Sequence, residues 1–324
     1  MEERLITLDR AQPCHELPAQ HDRHLGDWQP LGADRIAWGA SWTEGGRLKY
    51  GCHVQELSSG VIVKTLPSPG GVGGPVITDE HILFGGGANG ATPGVFDRGT
   101  FKKVGGLKGH KSMLSGLARF ADHYVTLGGR NARPFDDTLR LWDPKTLAET
   151  ARIKLTRHPR AVAAGPDRMV VHAWSHADHN ALHAYDPAGH EVWKRDLGDG
   201  YGACLSMSPS GEVLALLRGS RLALLDRDGE ERASCDVSAA GHFRMAGSWG
   251  PPAFSHDERY LFLTPEYDES ERGTFVIDVA TCALVLQLRG VVRPAPLGEG
   301  YGAWLGTTGP VTHFGVLPKD LVEP

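Results

Sequence analysis

No stretch of the 324-residue sequence approaches the roughly 20 consecutive apolar residues of a membrane-spanning helix, so no membrane partner is expected. The first residues, Met-Glu-Glu-Arg-Leu-Ile-Thr-Leu-Asp, lack the apolar core of an export signal. Cysteine is scarce and odd in number: Cys14, Cys52, Cys204, Cys235 and Cys282. No two share a C-x-x-C spacing, which argues against zinc and dithiol redox motifs. The expectation is reduced core thiols in a cytoplasmic protein. An excess of one charge is also missing. Lys and Arg total 34 against 39 Asp and Glu, with 16 His. The resulting pI of about 6.3 excludes a basic nucleic-acid coat.

Catalytic signatures are absent too. There is no G-x-S-x-G elbow, no H-E-x-x-H and no G-x-x-x-x-G-K-[ST] loop. Gly70-Gly71-Val72-Gly73-Gly74 and Gly85-Gly86-Gly87-Ala88-Asn89-Gly90 lack the Lys and the following helix that phosphate cradling needs. Tight turns account for both. No cofactor is expected.

Backbone punctuation is what the chain has in excess. Its 42 Gly and 21 Pro make about 19 % of residues, against roughly 12 % in average proteins. Apolar residues, at 40 %, are ample for a core. Dense turns with a full core suit many short strands, and they exclude a disordered chain or a long helical bundle.

One unit recurs: an apolar run, a polar turn usually led by Asp, and a second apolar run. Leu139-Arg140-Leu141-Trp142 before Asp143-Pro144-Lys145-Thr146 is a clear copy, as is Leu182-His183-Ala184-Tyr185 before Asp186-Pro187-Ala188-Gly189. The residue before each turn falls at 57, 96, 142, 185, 225, 277 and 317, with gaps of 39, 46, 43, 40, 52 and 40 residues. Asp or Ser at the first turn position and Gly or Thr at the last suit strand-to-strand turns. A period of 40–45 residues is the length of one four-stranded propeller blade. Residues 147–153 have helical composition, but their register with the other units predicts an outer strand. A second internal match sets Leu197-Gly198-Asp199-Gly200-Tyr201-Gly202-Ala203-Cys204-Leu205 against Leu297-Gly298-Glu299-Gly300-Tyr301-Gly302-Ala303-Trp304-Leu305, seven of nine positions identical. Both copies are expected at the same phase of their units.

The third unit carries Gly109-His110, then Asp136-Asp137-Thr138-Leu139-Arg140-Leu141-Trp142-Asp143. With these residues the chain resembles the WD-repeat family over nearly its whole length, although Tyr185, Leu225 or Phe96 stands where other units would carry the Trp. The resemblance implies an all-β, seven-bladed propeller of four-stranded antiparallel blades, forming a single domain over residues 1–324. It implies a structural tetrad of His110, Thr126, Asp136 and Trp142. It also implies ring closure by an amino-terminal strand, here Arg4-Leu5-Ile6-Thr7-Leu8, joining the last blade. An open ring would leave two unpaired edges.

The sharpest chemical cluster is residues 172–183, with His172, His176, His179 and His183 around Asp178. His176, Asp178 and His179 could ligate a divalent metal with help from a neighbouring blade. That opens an alternative reading as a metal- or small-ligand-dependent enzyme using the central funnel. The preferred reading is a non-catalytic interaction scaffold for one or more proteins. Longer connections between second and third strands fall at 130–137, 175–180 and 265–273. Family members place them on the face that also holds the entry loops. Arg130, Arg133, Tyr201, Tyr267 and Tyr301 are expected contacts there, with Asp199 and Glu299 beside them, because Arg and Tyr dominate interface hot spots. Residues 101–140 hold eight basic side chains against three acids, and residues 251–280 hold seven acids against two. Such a dipolar surface would orient a partner. The basic segment lacks interleaved aromatics, so nucleic acid is not expected.

Overall fold

The computed structural model describes residues 1–17, 24–68, 74–86, 92–129, 135–175, 179–199, 203–238, 251–264, 273–306 and 313–324. Among these the strands form seven sheets, six of four strands and one of five, in a seven-bladed propeller. Blades 1 to 6 occupy residues 24–68, 76–106, 114–154, 158–198, 204–236 and 253–289. Blade 7 runs from 291 to 317 and takes its outer strand from the other end of the chain. Each blade is an antiparallel meander whose first strand is innermost. The first strands of blades 3, 4 and 5 lie against one another around the axis.

Burial explains the residue pattern. Middle strands are covered on both faces by neighbouring blades, so they read as continuous apolar runs. Leu214–Arg218 and Tyr260–Leu263 are examples. Outer strands alternate. Glu149–Lys154 shows every second residue exposed, and so does Glu231–Asp236. The first of these is the helix-like segment of the sequence. Its pairing with Thr138–Trp142 prevails over weak helical propensity.

The seven third strands are Arg47–Glu56, Gly94–Asp97, Thr138–Trp142, His179–Tyr185, Arg221–Leu225, Thr274–Asp278 and His313–Leu317. Each ends at, or within one residue of, the position that the repeat marks. The Asp that follows works as expected. Asp97, Asp143 and Asp278 each accept from the backbone N–H and the hydroxyl of a Thr three residues on. These bonds hold all three carboxyls below their usual range.

Ring closure differs from the expectation in which residues perform it. Cys14–Glu16, not Arg4-Leu5-Ile6-Thr7-Leu8, pairs with His313–Leu317 as the outer strand of blade 7. Glu2–Leu5 instead adds a fifth, parallel strand to Ala283–Arg289 of blade 6. The amino terminus therefore covers two neighbouring outer edges. The seam between blades 7 and 1 is further locked by Trp28, Trp38, Trp304 and Phe314, packed edge-to-face at 5.0–5.4 Å between ring centroids.

The two nine-residue copies do not share a phase. The first joins the outer strand of blade 4, Glu191–Gly198, to the inner strand of blade 5, Cys204–Met207. The second begins at the end of the inner strand of blade 7, Val291–Leu297, and its Gly298-Glu299 turn opens Gly300–Leu305. A Gly-acid-Gly sequence between apolar flanks suits either connection, so local similarity here does not report position in the blade.

Candidate partner-binding face

Antiparallel order sorts the connections onto two faces. Second-to-third and fourth-to-first connections share one, the long-loop face, while first-to-second and third-to-fourth turns lie on the other. Thr126 sits on the second strand of blade 3, Trp142 ends the third, His110 lies in the connection from blade 2, and Asp136 precedes the third strand. The Trp142 indole N–H donates to Thr126 Oγ1 at 2.8 Å, and Thr126 Oγ1 lies 2.6 Å from His110 Nε2. His110 Nδ1 lies 2.9 Å from Asp136 Oδ2. One assignment satisfies all three contacts. Thr126 gives its proton to Nε2, and a neutral imidazole donates from Nδ1 to the carboxylate.

The electrostatics agree with a neutral ring. Burial pushes the His110 pKa down, and although Asp136 pulls it up, Arg140 lowers it further, leaving it at about 4. Burial alone would raise Asp136. The Thr138 hydroxyl, the Lys111 N–H, His110 and Arg140 outweigh it and hold the carboxyl below its usual range. Arg140 is itself buried between Asp136 and Glu149, at 3.3 and 3.1 Å. It therefore adds nothing to the surface charge of the 101–140 segment. The network binds the strands of one blade and offers no reacting atom to solvent.

Across the His-rich segment, two imidazoles are already engaged. His172 is fully buried, with Nε2 3.0 Å from Asn180 Oδ1, and burial lowers its pKa to about 4. His183 Nδ1 lies 2.7 Å from Glu191 Oε2. His176 and Asp178 lie outside the described residues, as does the side chain of His179. Among the described residues no group of three or more His, Cys, Asp or Glu is arranged to hold a metal ion.

The expected contact residues divide. Asp199 is exposed in the fourth-to-first connection between blades 4 and 5, on the long-loop face. Arg130, Arg133, Tyr201 and Tyr267 lie outside the described residues. Glu299 and Tyr301 are corrections. Glu299 is exposed, but it stands in a first-to-second turn, on the opposite face from Asp199. Tyr301 is fully buried in a middle strand, its ring edge-on to Phe262 at 5.2 Å and its hydroxyl bonded to Glu323. It is a core residue, because its strand is covered by blades on both sides.

Three residues near blades 4 and 5 were not singled out in the sequence. Arg160 occupies a bulge in the inner strand His158–Ala164, between Pro159 and Ala161. Its guanidinium lies 5.2 Å over the Trp174 ring, close to the second-to-third connection of blade 4. Arg160 is half-buried, and burial lowers its pKa. Among the described residues no carboxylate is within ion-pair distance of it. Arg218, at the matching rim of blade 5, donates to the carbonyls of Leu197 and Asp199, each at 2.7 Å. Burial and Arg221 lower its pKa also. Two desolvated cations and an indole thus share one stretch of the long-loop face. A charge inside the otherwise apolar inner-strand run Pro159-Arg160-Ala161-Val162 was the available signal.

The opposite face holds a cleft of about 410 Å³ between blades 1 and 2, lined by Arg35 and Arg98 with Asp79, Glu80 and Asp97. Its charges offset one another, and Arg98 is engaged with the Thr78 carbonyl and with Asp79.

No protein-family model and no curated protein matches the sequence. The fold, by contrast, matches 907 chains of solved structures. Among them is a structure of U3-55K, with a TM-score of 0.69 and 11 % identity, covering 94 % of this chain and 98 % of that one. So low an identity establishes the propeller architecture and leaves function to the site.

Proposed function

We propose that the chain is a non-catalytic, WD-repeat-like interaction platform of the cytoplasm, docking one or more protein partners on its long-loop face through an acidic segment. Arg160 is the observation that carries this reading. A guanidinium that has lost part of its hydration, with no carboxylate in reach among the described residues, is stabilised by an incoming anion far more than a solvated one would be. Trp174 beneath it supplies a flat apolar surface of the type that anchors interfaces. Arg130, Arg133, Tyr201 and Tyr267 belong by sequence to connections of the same face and would extend the contact, with Asp199 at its edge. Likeness to U3-55K and the tetrad chemistry of blade 3 support the WD-repeat-like assignment.

Co-purification from the native host at low salt, read by mass spectrometry, tests this. Wild type is expected to retain a near-stoichiometric protein companion. Arg160→Glu and Arg130→Glu/Arg133→Glu should each lose it at least tenfold, while Glu299→Lys on the opposite face keeps it. Release of the companion by ribonuclease would instead mean an RNA-bridged contact and overturn direct protein docking. Equal capture by all variants would exclude this face.

A further inference from the structure

Cys235 lies on the outer strand Glu231–Asp236 of blade 5, and Cys282 in the third-to-fourth turn of blade 6. Their Sγ atoms are 3.0 Å apart although 47 residues separate them. A disulfide bond is about 2.05 Å long, so closure needs a movement of only about 1 Å.

The approach is fixed by the architecture of the turn. Cys282 is the residue after Thr281 in the turn begun by Asp278, and its φ is +53°. Phe101 and Leu147 occupy the same turn position in blades 2 and 3, with φ of +58° and +56°. Gly60, Gly189 and Gly229, with φ of +72°, +84° and +82°, stand at the corresponding point in blades 1, 4 and 5. Four of these positions face the outer strand of the preceding blade. Leu147 reaches Gly105, while Gly60 faces His15, Gly189 faces Ile153 and Gly229 faces Trp193. The position therefore abuts the preceding outer strand by construction, and blades 5 and 6 put a thiol on each side of that contact.

We propose that Cys235 and Cys282 are a reversible disulfide site that covalently staples blade 5 to blade 6. Cys235 is partly exposed and meets the oxidant, whereas Cys282 is 2 % exposed and acts as the resolving thiol. With a small-molecule disulfide such as oxidised glutathione, the Cys235 thiolate attacks one sulfur and releases one glutathione thiolate, leaving a mixed disulfide. Cys282 attacks Cys235 Sγ and passes its proton to the departing glutathione thiolate, forming the interblade bond and releasing the second glutathione as a thiol. Two protein thiols are oxidised and one glutathione disulfide is reduced to two thiols. Burial, with the neighbouring Cys235, pushes the Cys282 thiol up to about 12, so Cys282 does not meet the oxidant as a thiolate.

The test exposes folded, full-length protein to oxidised glutathione, quenches it in acid, alkylates free thiols and maps tryptic peptides. Cleavage puts the two cysteines in separate peptides, residues 233–244 and 273–289, each holding one cysteine. The expected product is these two peptides joined, with three thiols of five still free, returning to five on dithiothreitol treatment. Oxidised wild type should also melt at a higher temperature than reduced, and Cys235→Ser should show neither change. Stable glutathione on Cys235 with Cys282 still alkylatable would overturn the proposal, as would five free thiols after exhaustive oxidation. Both readings come from wild type, so they hold even if a variant folds poorly.

Discussion

At the scale of single residues, the blade 3 network depends on every member keeping its partner. Removing His110 leaves the buried Thr126 hydroxyl without an acceptor and takes one donor from the buried Asp136 carboxylate. An unpaired buried polar group costs more than the bond it lost contributed. His110→Ala is expected to destabilise the fold by about 2–4 kcal/mol, read as a lower urea midpoint at unchanged slope. A loss within experimental error would mean that the contacts contribute little. His110 and His172 also set an acid limit. Both have native pKa values lowered to about 4 from an ordinary 6.5. The unfolded chain therefore binds protons more readily than the native one between those values, and stability falls as pH drops from about 6.5 to about 4. The loss is at most about 3 kcal/mol for each histidine. His172→Gln should flatten the decline. A midpoint constant from pH 7 to 4.5 would show that neither imidazole is held neutral.

Turns and strands were legible in the sequence to different degrees. Third strands were readable because each ends in an Asp- or Ser-led turn whose hydrogen bonds are local, as at Asp143 with Thr146. The closing strand was not, since Cys14–Glu16 is three residues long, follows Pro13 and carries no periodicity. The alternating Arg4-Leu5-Ile6-Thr7-Leu8 drew the assignment to itself. Tyr301 shows the same limit for the site. In the sequence it matches Tyr201, and only the strand pairing reveals that it lies within a blade. The closing strand makes its own prediction. Gly60 has φ +72° and stands against His15, whose Nε2 lies 2.5 Å from the Leu57 carbonyl. Gly219, with φ +56°, has open space where a Cβ would go. Alanine costs about 1–2 kcal/mol at either position from the left-handed backbone, and Gly60→Ala should cost measurably more because it also displaces the closing strand. Equal midpoints for the two variants would mean that His15 yields freely.

Across the whole molecule, the ring of blades brings residues distant in sequence onto one long-loop face. Charge counted along the sequence described that surface poorly, because Arg140 is internal and Asp278 is committed to its own turn. Arg160 and Trp174 met only through the pairing of the first two strands of blade 4. The proposed docking of partners on this face is open to lysine cross-linking of the co-purified complex, read by mass spectrometry. Lys111, in the connection from blade 2 to blade 3, marks the long-loop face, and Lys145, in the third-to-fourth turn of blade 3, marks the opposite one. Links from the partner to Lys111 and none to Lys145 are the predicted result, and a partner linked through Lys145 alone would contradict it.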